Sequence, residues 1–223
     1  MEVIEAMMAR HSVRDFKSDS VPKATVVKIL ETAVRSPSTV NSQPWNIYVA
    51  SGAAIERIRK AYVEKGLKGI KPNYEIFITP FSQLPKAMVD RMTEMRKERM
   101  KLMGLDSEDP SSQQAIAASG ARLFNANVLL VLTMDKVLDK WLLYDMGLLS
   151  QNILLAAHNS GLGSLLALSL VGYPDILRAE LEIPDSQIIV MGIALGYTNT
   201  ASGINKYISP RRPLAETVTF KDF

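Results

Sequence analysis

Two short segments of this 223-residue chain hold residue types whose spacing could do chemistry. The first is Arg10-His11-Ser12-Val13-Arg14, just after a predicted N-terminal helix. Alternate residues of an extended strand point to one side, so positions 10, 12 and 14 can converge on one target. Two guanidiniums and a hydroxyl make a cradle for a phosphate or a polyol. The same residues would also serve as an arginine-rich surface turn, and residue type alone does not choose between the two. The second segment is Ser36-Pro37-Ser38-Thr39-Val40-Asn41-Ser42-Gln43-Pro44-Trp45. Such a run of polar residues and prolines cannot be core. The amides of Asn41 and Gln43 each donate and accept hydrogen bonds, which suits the edge of a heterocycle with mixed donors and acceptors. Trp45 starts a strand and reads as core.

Other chemistry is excluded by composition. Cysteine is absent, so there is no disulfide framework, thiolate nucleophile or cysteine zinc site. His11 and His158 are the only histidines, which leaves no multi-histidine metal cluster and points to no metal site. The net charge of +3, from 26 basic and 23 acidic residues, is too balanced to argue for nucleic acid. The basic run Arg91, Arg96, Lys97, Arg99 and Lys101 is interleaved with Glu94 and Glu98 and reads as a solvated helix face. The longest apolar stretches, Val128–Met134 and Leu162–Gly172, fall well short of the ~20 residues that span a bilayer. No secretory leader is legible at the start, so a cytoplasmic protein is expected. Gly161 and Gly163 half match a dinucleotide fingerprint but follow a helix where a strand is required.

The elements that must position these segments follow from periodicity. Val27, Leu30 and Val34 predict a helix over 22–35, and Ile55, Ile58 and Tyr62 another over 53–65. Residues 66–85 carry Gly66, Gly69, Pro72, Pro80 and Pro85 and read as loop, with one extended piece at 75–78. Helices are expected over 85–103 and 113–125, then a long one over 138–160 closed by Gly161. A short helix opens at Pro174. Strands are expected at 46–50, 128–134, 164–168 and 187–195. The polar tail from Thr198 to Phe223 looks like an arm that needs something to lie against.

Taken together, Arg-His-Ser-x-Arg at 10–14 and Pro-Ser-x-x-Asn-Ser-Gln-Pro-Trp at 37–45 resemble the nitroreductase family of FMN-dependent oxidoreductases. The likeness extends over Asp145–Gly163, Tyr173-Pro174-Asp175, Met191–Tyr197 and Asn205–Leu214, and is poorest over 70–114. It implies an α+β fold with a mixed central sheet flanked by helices. It also implies an intertwined homodimer in which a C-terminal arm, 198–223, lies on the partner. The whole chain would be one FMN-binding domain, with a variable helical excursion at 82–112.

By the same resemblance, Arg10, Ser12 and Arg14 hold the flavin phosphate, ribityl chain and pyrimidine edge, and His11 contributes through its backbone. Arg211 matches a phosphate-binding arginine. Pro37, Ser38 and Asn41 would come from the other subunit, with Gln43 supporting their loop. Leu166, Ala167 and Leu168 match the segment along the isoalloxazine near N5, where many relatives carry proline or a polar residue. An asparagine that many relatives carry near Ser119-Gly120 is missing.

The implied activity is ping-pong transfer of hydride from NADH or NADPH, through FMN, to a nitroaromatic, a quinone or a similar electron-poor acceptor. The flavin itself carries the hydride, so no catalytic side chain is required. A same-fold enzyme for reductive dehalogenation or ene reduction, a flavin-binding protein without turnover and a basic interaction module at 86–101 are the alternatives. Met88, Met92, Met95 and Leu102 share a predicted stripe within the excursion. They would either fill an irregular packing surface or cap the pocket as a mobile lid.

Overall fold

The computed structural model describes residues 2–222. Four strands form one sheet in the order β1-β2-β4-β3: β1 Trp45–Ser51, β2 Val128–Asp135, β3 Gly163–Ala167 and β4 Gln187–Gly196. Among the described residues every strand pair is antiparallel, and a parallel contact enters only as a single bridge between Ser12 and Ser164. The expected α+β architecture is therefore observed, with the sheet mixed at its β3 edge alone.

Helices cover both faces, which is why β2 is buried at every position except Asp135. Strand periodicity sorts its side chains into two cores. Leu129 and Val131 pack with Ile55, Ile58 and Tyr62 of α3 (Gly52–Leu67) and Leu177 of α7 (Pro174–Leu181). Leu130 and Leu132 pack with Ile29 of α2 (Lys23–Ala33) and with Leu149 and Ile153 of α6 (Leu143–Asn159). Val190 is the extra residue of a bulge, since Leu132 pairs with Met191 and Thr133 with Ile189. The remaining helices are α1 Val3–Ala9, α4 Lys86–Leu102 and α5 Pro110–Ala121.

Several expectations shift. On α2 the row facing the sheet is Val26, Ile29 and Ala33, whereas Val27 and Val34 are exposed. Two apolar rows run along this helix, and periodicity does not say which faces the chain's own core. The long helix expected over 138–160 is interrupted. Asp139 accepts a hydrogen bond from Trp141 N (3.0 Å) and sets a separate 3₁₀ turn at Lys140–Leu142 before α6 begins. α5 starts earlier than expected, because Asp109 caps it through Ser111 N (2.8 Å) with Pro110 in its first turn. It ends earlier too, at a left-handed turn where Leu123, Phe124 and Asn125 all have positive φ.

The extended piece expected at 75–78 is not a strand. Glu75 holds this segment through its side chain instead. Its carboxylate accepts from Ile189 N of β4 (2.7 Å) and from Arg178 of α7 at 2.8–3.0 Å.

Candidate cofactor site

Helix α1 stops at Arg10, whose backbone is extended (φ −60°, ψ 126°). The next residues run along the open edge of β3, where Val13 N donates to Ser164 O (3.0 Å). Val13 and Phe16 turn into the core, which leaves Ser12 and Arg14 on the other side, half-buried. Close packing fixes this register. A Cβ on Gly163 would meet Thr198 Oγ1 at 2.6 Å and Val13 Cγ2 at 2.7 Å.

A second clamp comes from the far end of the chain. Buried Asn205 accepts from Arg14 N (2.7 Å) and donates to the carbonyls of Asp15 (2.7 Å) and Asn199 (2.9 Å). One amide therefore ties the N-terminal motif to the segment leading into the arm.

Four arginines gather here, and among the described residues the one carboxylate beside them in the cavity lining, Asp15, accepts from the amides of Asn125 (2.9 Å) and Asn199 (2.8 Å). Arg10 lies close enough to Arg211 that burial first, and Arg211 second, hold its pKa below the usual arginine value. Arg14 is pushed down to about 10 by burial, then by Arg99, with Tyr207 opposing the shift. It still carries its charge near neutral pH. The Arg14 guanidinium donates to Ser12 O (3.0 Å) and stands 5.9 Å over the Tyr207 ring. Arg211 donates to the carbonyls of Ser209 (2.8 Å) and Pro210 (3.3 Å). Among the described residues no ion pair engages Arg10, Arg14, Arg99 or Arg211. Beside Arg14 opens a cavity of about 450 Å³ lined by Ser119, Arg122, Asn125 and Ser202 among others.

Residues 36–45 form a separate, tightly bound loop. Val40, Asn41 and Gln43 all have positive φ, and for a β-branched valine that is a strained conformation. The loop is held from both ends. Buried Asp145, in the first turn of α6, accepts from Thr39 N (3.0 Å) and Thr39 Oγ1 (3.4 Å). Asn152 donates to Ser36 Oγ (2.6 Å), and Gln43 N donates to Ser38 Oγ (3.0 Å). The Gln43 amide reaches Asn41 Oδ1 (3.2 Å), so Gln43 braces the loop from within. The result pushes Val40 out to 94% exposure, with Pro37 and Asn41 exposed beside it. Trp45 packs partly against the core, as its position at the start of β1 suggests.

Arg10, His11, Ser12 and Arg14 thus share one segment along β3, which ends in Leu166 and Ala167 and passes into Leu168. Leu166 is 38% exposed and presents an apolar side chain. His11 Nδ1 lies 3.2 Å from the carbonyl of Ala9. Pro37, Ser38 and Asn41 are not brought to that segment: among the described residues no hydrogen bond joins the 36–45 loop to residues 10–14. Asn205, Asp145, Arg99 and Tyr207 escape the sequence reading as site residues. Asp145 could have been found as a carboxylate beside the buried Met146 of the α6 stripe, a place that demands donors.

A nitroreductase-family model matches residues 7–197. The chain is 34% identical to a chloronitrobenzene nitroreductase of Comamonas testosteroni over 95% of this chain and 93% of that one. It is similar in structure to the FMN and NADPH-dependent nitroreductase NfnB of a sphigopyxis strain, with a TM-score of 0.93 at 28% identity and all of both chains covered. NfnB of Mycobacterium smegmatis, solved in complex with NADPH, superposes with a TM-score of 0.91 at 27% identity, over 98% of this chain and 97% of that one. Both motifs lie within the matched stretch, on a fold shared from end to end, and the chain belongs to the nitroreductase family.

Proposed function

We infer that this protein is an FMN-dependent NAD(P)H oxidoreductase that reduces nitroaromatic acceptors. The observation that carries the reading is that Arg10 and Arg211, close enough for Arg211 to lower the Arg10 pKa, form no ion pair among the described residues and stand at the start of a segment that lines an exposed apolar edge. Unpaired charges of one sign fit a ligand that brings a phosphate dianion. The rest of the site fits the rest of FMN. Ser12 offers a hydroxyl along the way, Arg14 offers donors at the far end, and Leu166 offers a surface for a planar ring. The relatives support the same chemistry, since those compared above are named as nitroreductases and one is solved with NADPH.

When bound, FMN supplies the hydride chemistry between nicotinamide and acceptor. The chain's own residues bind and orient. Arg10 and Arg211 anchor the phosphate, and the β3 bridge and Asn205 hold Ser12 and Arg14 in register. Leu166, Ala167 and Leu168 keep the ring face apolar and shed water from it. Arg14 holds positive charge at the polar edge of the ring. Electron-poor quinones fit the same open face as nitroaromatics.

The working unit is a homodimer in this reading. Every residue from Pro210 to Asp222 is exposed, with Leu214, Val218 and Phe220 among them. Val3, Ile4, Met7 and Met8 of α1 and the stacked pair Trp141–Tyr144 add exposed apolar surface. Surface of this kind marks an interaction site. The arm, 198–223, would cover a second copy of this chain, whose loop would bring Pro37, Ser38 and Asn41 to the flavin. No described helix is long and apolar enough to cross a membrane. The cytoplasm, where NADH and NADPH are at hand, is the compartment this function needs.

The test is direct. Purified protein should be yellow, bleach under anaerobic NADH or NADPH, and regain colour with nitrobenzene. Colourless protein that takes up no FMN would sink the reading. Yellow protein that neither donor bleaches would leave flavin binding and remove the enzyme.

A further inference from the structure

Arg99 lies in the last turn of α4, outside both motifs. That end of the helix is docked: Met100 is fully buried, and Gly203 sits so close to the Leu102 carbonyl that a Cβ there would collide with it. The Arg99 side chain turns inward. Its Nε is buried with no hydrogen-bond acceptor, and its Nη1 has only the thioether of Met95 at 3.9 Å. Arg99 and Arg14 line the same small cavity with Met103, Ile116, Ser119 and Ile204. Arg14, Met103, Ser119 and Ile204 also line the cavity of about 450 Å³, so the small space is a recess adjoining it; Asp15 lines the larger cavity only, where Asn125 and Asn199 occupy its carboxylate.

Two guanidiniums in one recess without a carboxylate make an unfavourable arrangement on their own. Each loses hydration and repels the other. Both lie below the usual arginine pKa, Arg99 through burial first and Arg14 through burial and then Arg99, while Tyr207 offsets part of the cost. A ligand that brings electron density into the recess relieves that cost. The phosphate of FMN is already matched by Arg10 and Arg211. The opposite end of FMN is a pyrimidine ring with two carbonyl oxygens, and it gains negative charge on reduction.

We propose that Arg99 is a second guanidinium, beside Arg14, for the polar pyrimidine edge of FMN, and that cofactor binding therefore fixes the C-terminal end of α4. The proposal rests on the FMN reading above and adds a residue that neither motif contains. It also divides α4 in function: its last turn belongs to the cofactor site, whatever its outer face does.

The experiment compares R99M, R99Q and R99K with wild type. Melting temperature of the FMN-free protein, Kd for FMN by fluorescence quenching, and the midpoint potential of bound FMN are measured on each. Removing an unpaired buried charge should leave the melting temperature of FMN-free R99M unchanged or higher. Its FMN Kd should weaken about tenfold, the scale of one charge-assisted hydrogen bond. The midpoint potential should fall, by about 30 mV for each tenfold preferential loss of the reduced form. R99K, which keeps the charge, should lie between. R99Q carries the same comparison if R99M does not fold. Folded R99M or R99Q with unchanged Kd and unchanged potential overturns the proposal and makes Arg99 a packing residue. Wild type that binds no FMN removes the parent reading instead, which is a separate result.

Discussion

Arg178 and Arg14 are both half-buried arginines, yet their surroundings differ in kind. Arg178, on α7, grips Glu75 with two nitrogens and reaches the carbonyls of Pro184 (2.8 Å) and Gln187 (2.6 Å). Every arm of the fork is used, so the residue joins a helix, a loop and β4. Arg14 has one carbonyl, one aromatic face and a second guanidinium for company. The first arrangement is complete within the chain. The second is complete only with something electron-rich added. A half-buried arginine therefore says little by itself, and the identity of its partners separates a structural rivet from a binding site.

Substitution on each side should break that contrast most sharply. Arg178→Ala leaves Glu75 without its cation and removes the anchor of the 70–80 loop. We expect a loss of about 3 kcal/mol in urea unfolding, with FMN affinity per folded molecule nearly unchanged. Arg211→Ala and Arg14→Ala should do the reverse. Unfolding of the FMN-free protein should shift little, while dialysed protein loses most of its flavin absorbance. Full flavin occupancy in both variants would mean that the unpaired arginines are surface ornament and the contrast is empty.

A smaller effect is expected where the scaffold meets the site. Gly163→Ala places a methyl against Val13 and Thr198, and overpacking of this kind costs about 1–3 kcal/mol. The strain would be released by moving the 12–14 segment off β3, so FMN affinity should fall together with stability. Smaller again is Asp145→Asn, which keeps the shape but leaves Thr39 N a neutral acceptor. A charged acceptor contributes about 1 kcal/mol more than a neutral one. Hydrogen exchange at residues 38–43 should rise. Unchanged exchange there would show that Val40 needs no help from α6 to hold its positive φ.

The sequence made the two sides of this contrast unequally legible. Strand β2 and helices α3 and α6 were readable because their apolar period matches a single buried face, or two in the case of β2. In residues 10–14 the side taken by Ser12 and Arg14, opposite the buried Val13, was readable from strand period alone. What failed was whatever depends on a partner distant in sequence. The Glu75 segment read as an extended piece within a loop, and nothing local showed that its carboxylate bonds β4 and Arg178 at once. Val27 and Val34 looked like the core row of α2, and only the sheet decides that 26, 29 and 33 face inward. Asn205 and Arg99 reach Arg14 from 191 and 85 positions away, beyond the range of any local pattern. The 36–45 loop lay between: its polarity gave its place, while its strain and its brace on Asp145 required the fold.

The faintest effect concerns α4, where the contrast recurs within one helix. Met88, Met92, Met95 and Leu102 form the stripe the sequence offers as packing or as lid. The structure splits the helix's methionines instead. Met100 is fully buried at the docked end, whereas Met88 and Met92 stay 41% and 39% exposed and Met95 is intermediate. A packing role would make Met92→Ala with Met95→Ala cost the about 2–5 kcal/mol of a core truncation. Exposure of this degree predicts about 0.5 kcal/mol or less per site, measured by urea unfolding. If the outer face meets acceptors, as a flexible thioether surface is suited to do, KM should shift differently for small and bulky nitroaromatics in the double variant. FMN affinity should stay as in wild type, because the end of α4 proposed to meet the cofactor is the docked one, at Arg99. Met100→Ala is the counterpart, expected to loosen the docked end and weaken FMN without changing the order of acceptor preference. A double variant that unfolds early with unchanged acceptor preference would return the whole stripe to packing, and the division of α4 into a fixed end and a working face would be lost.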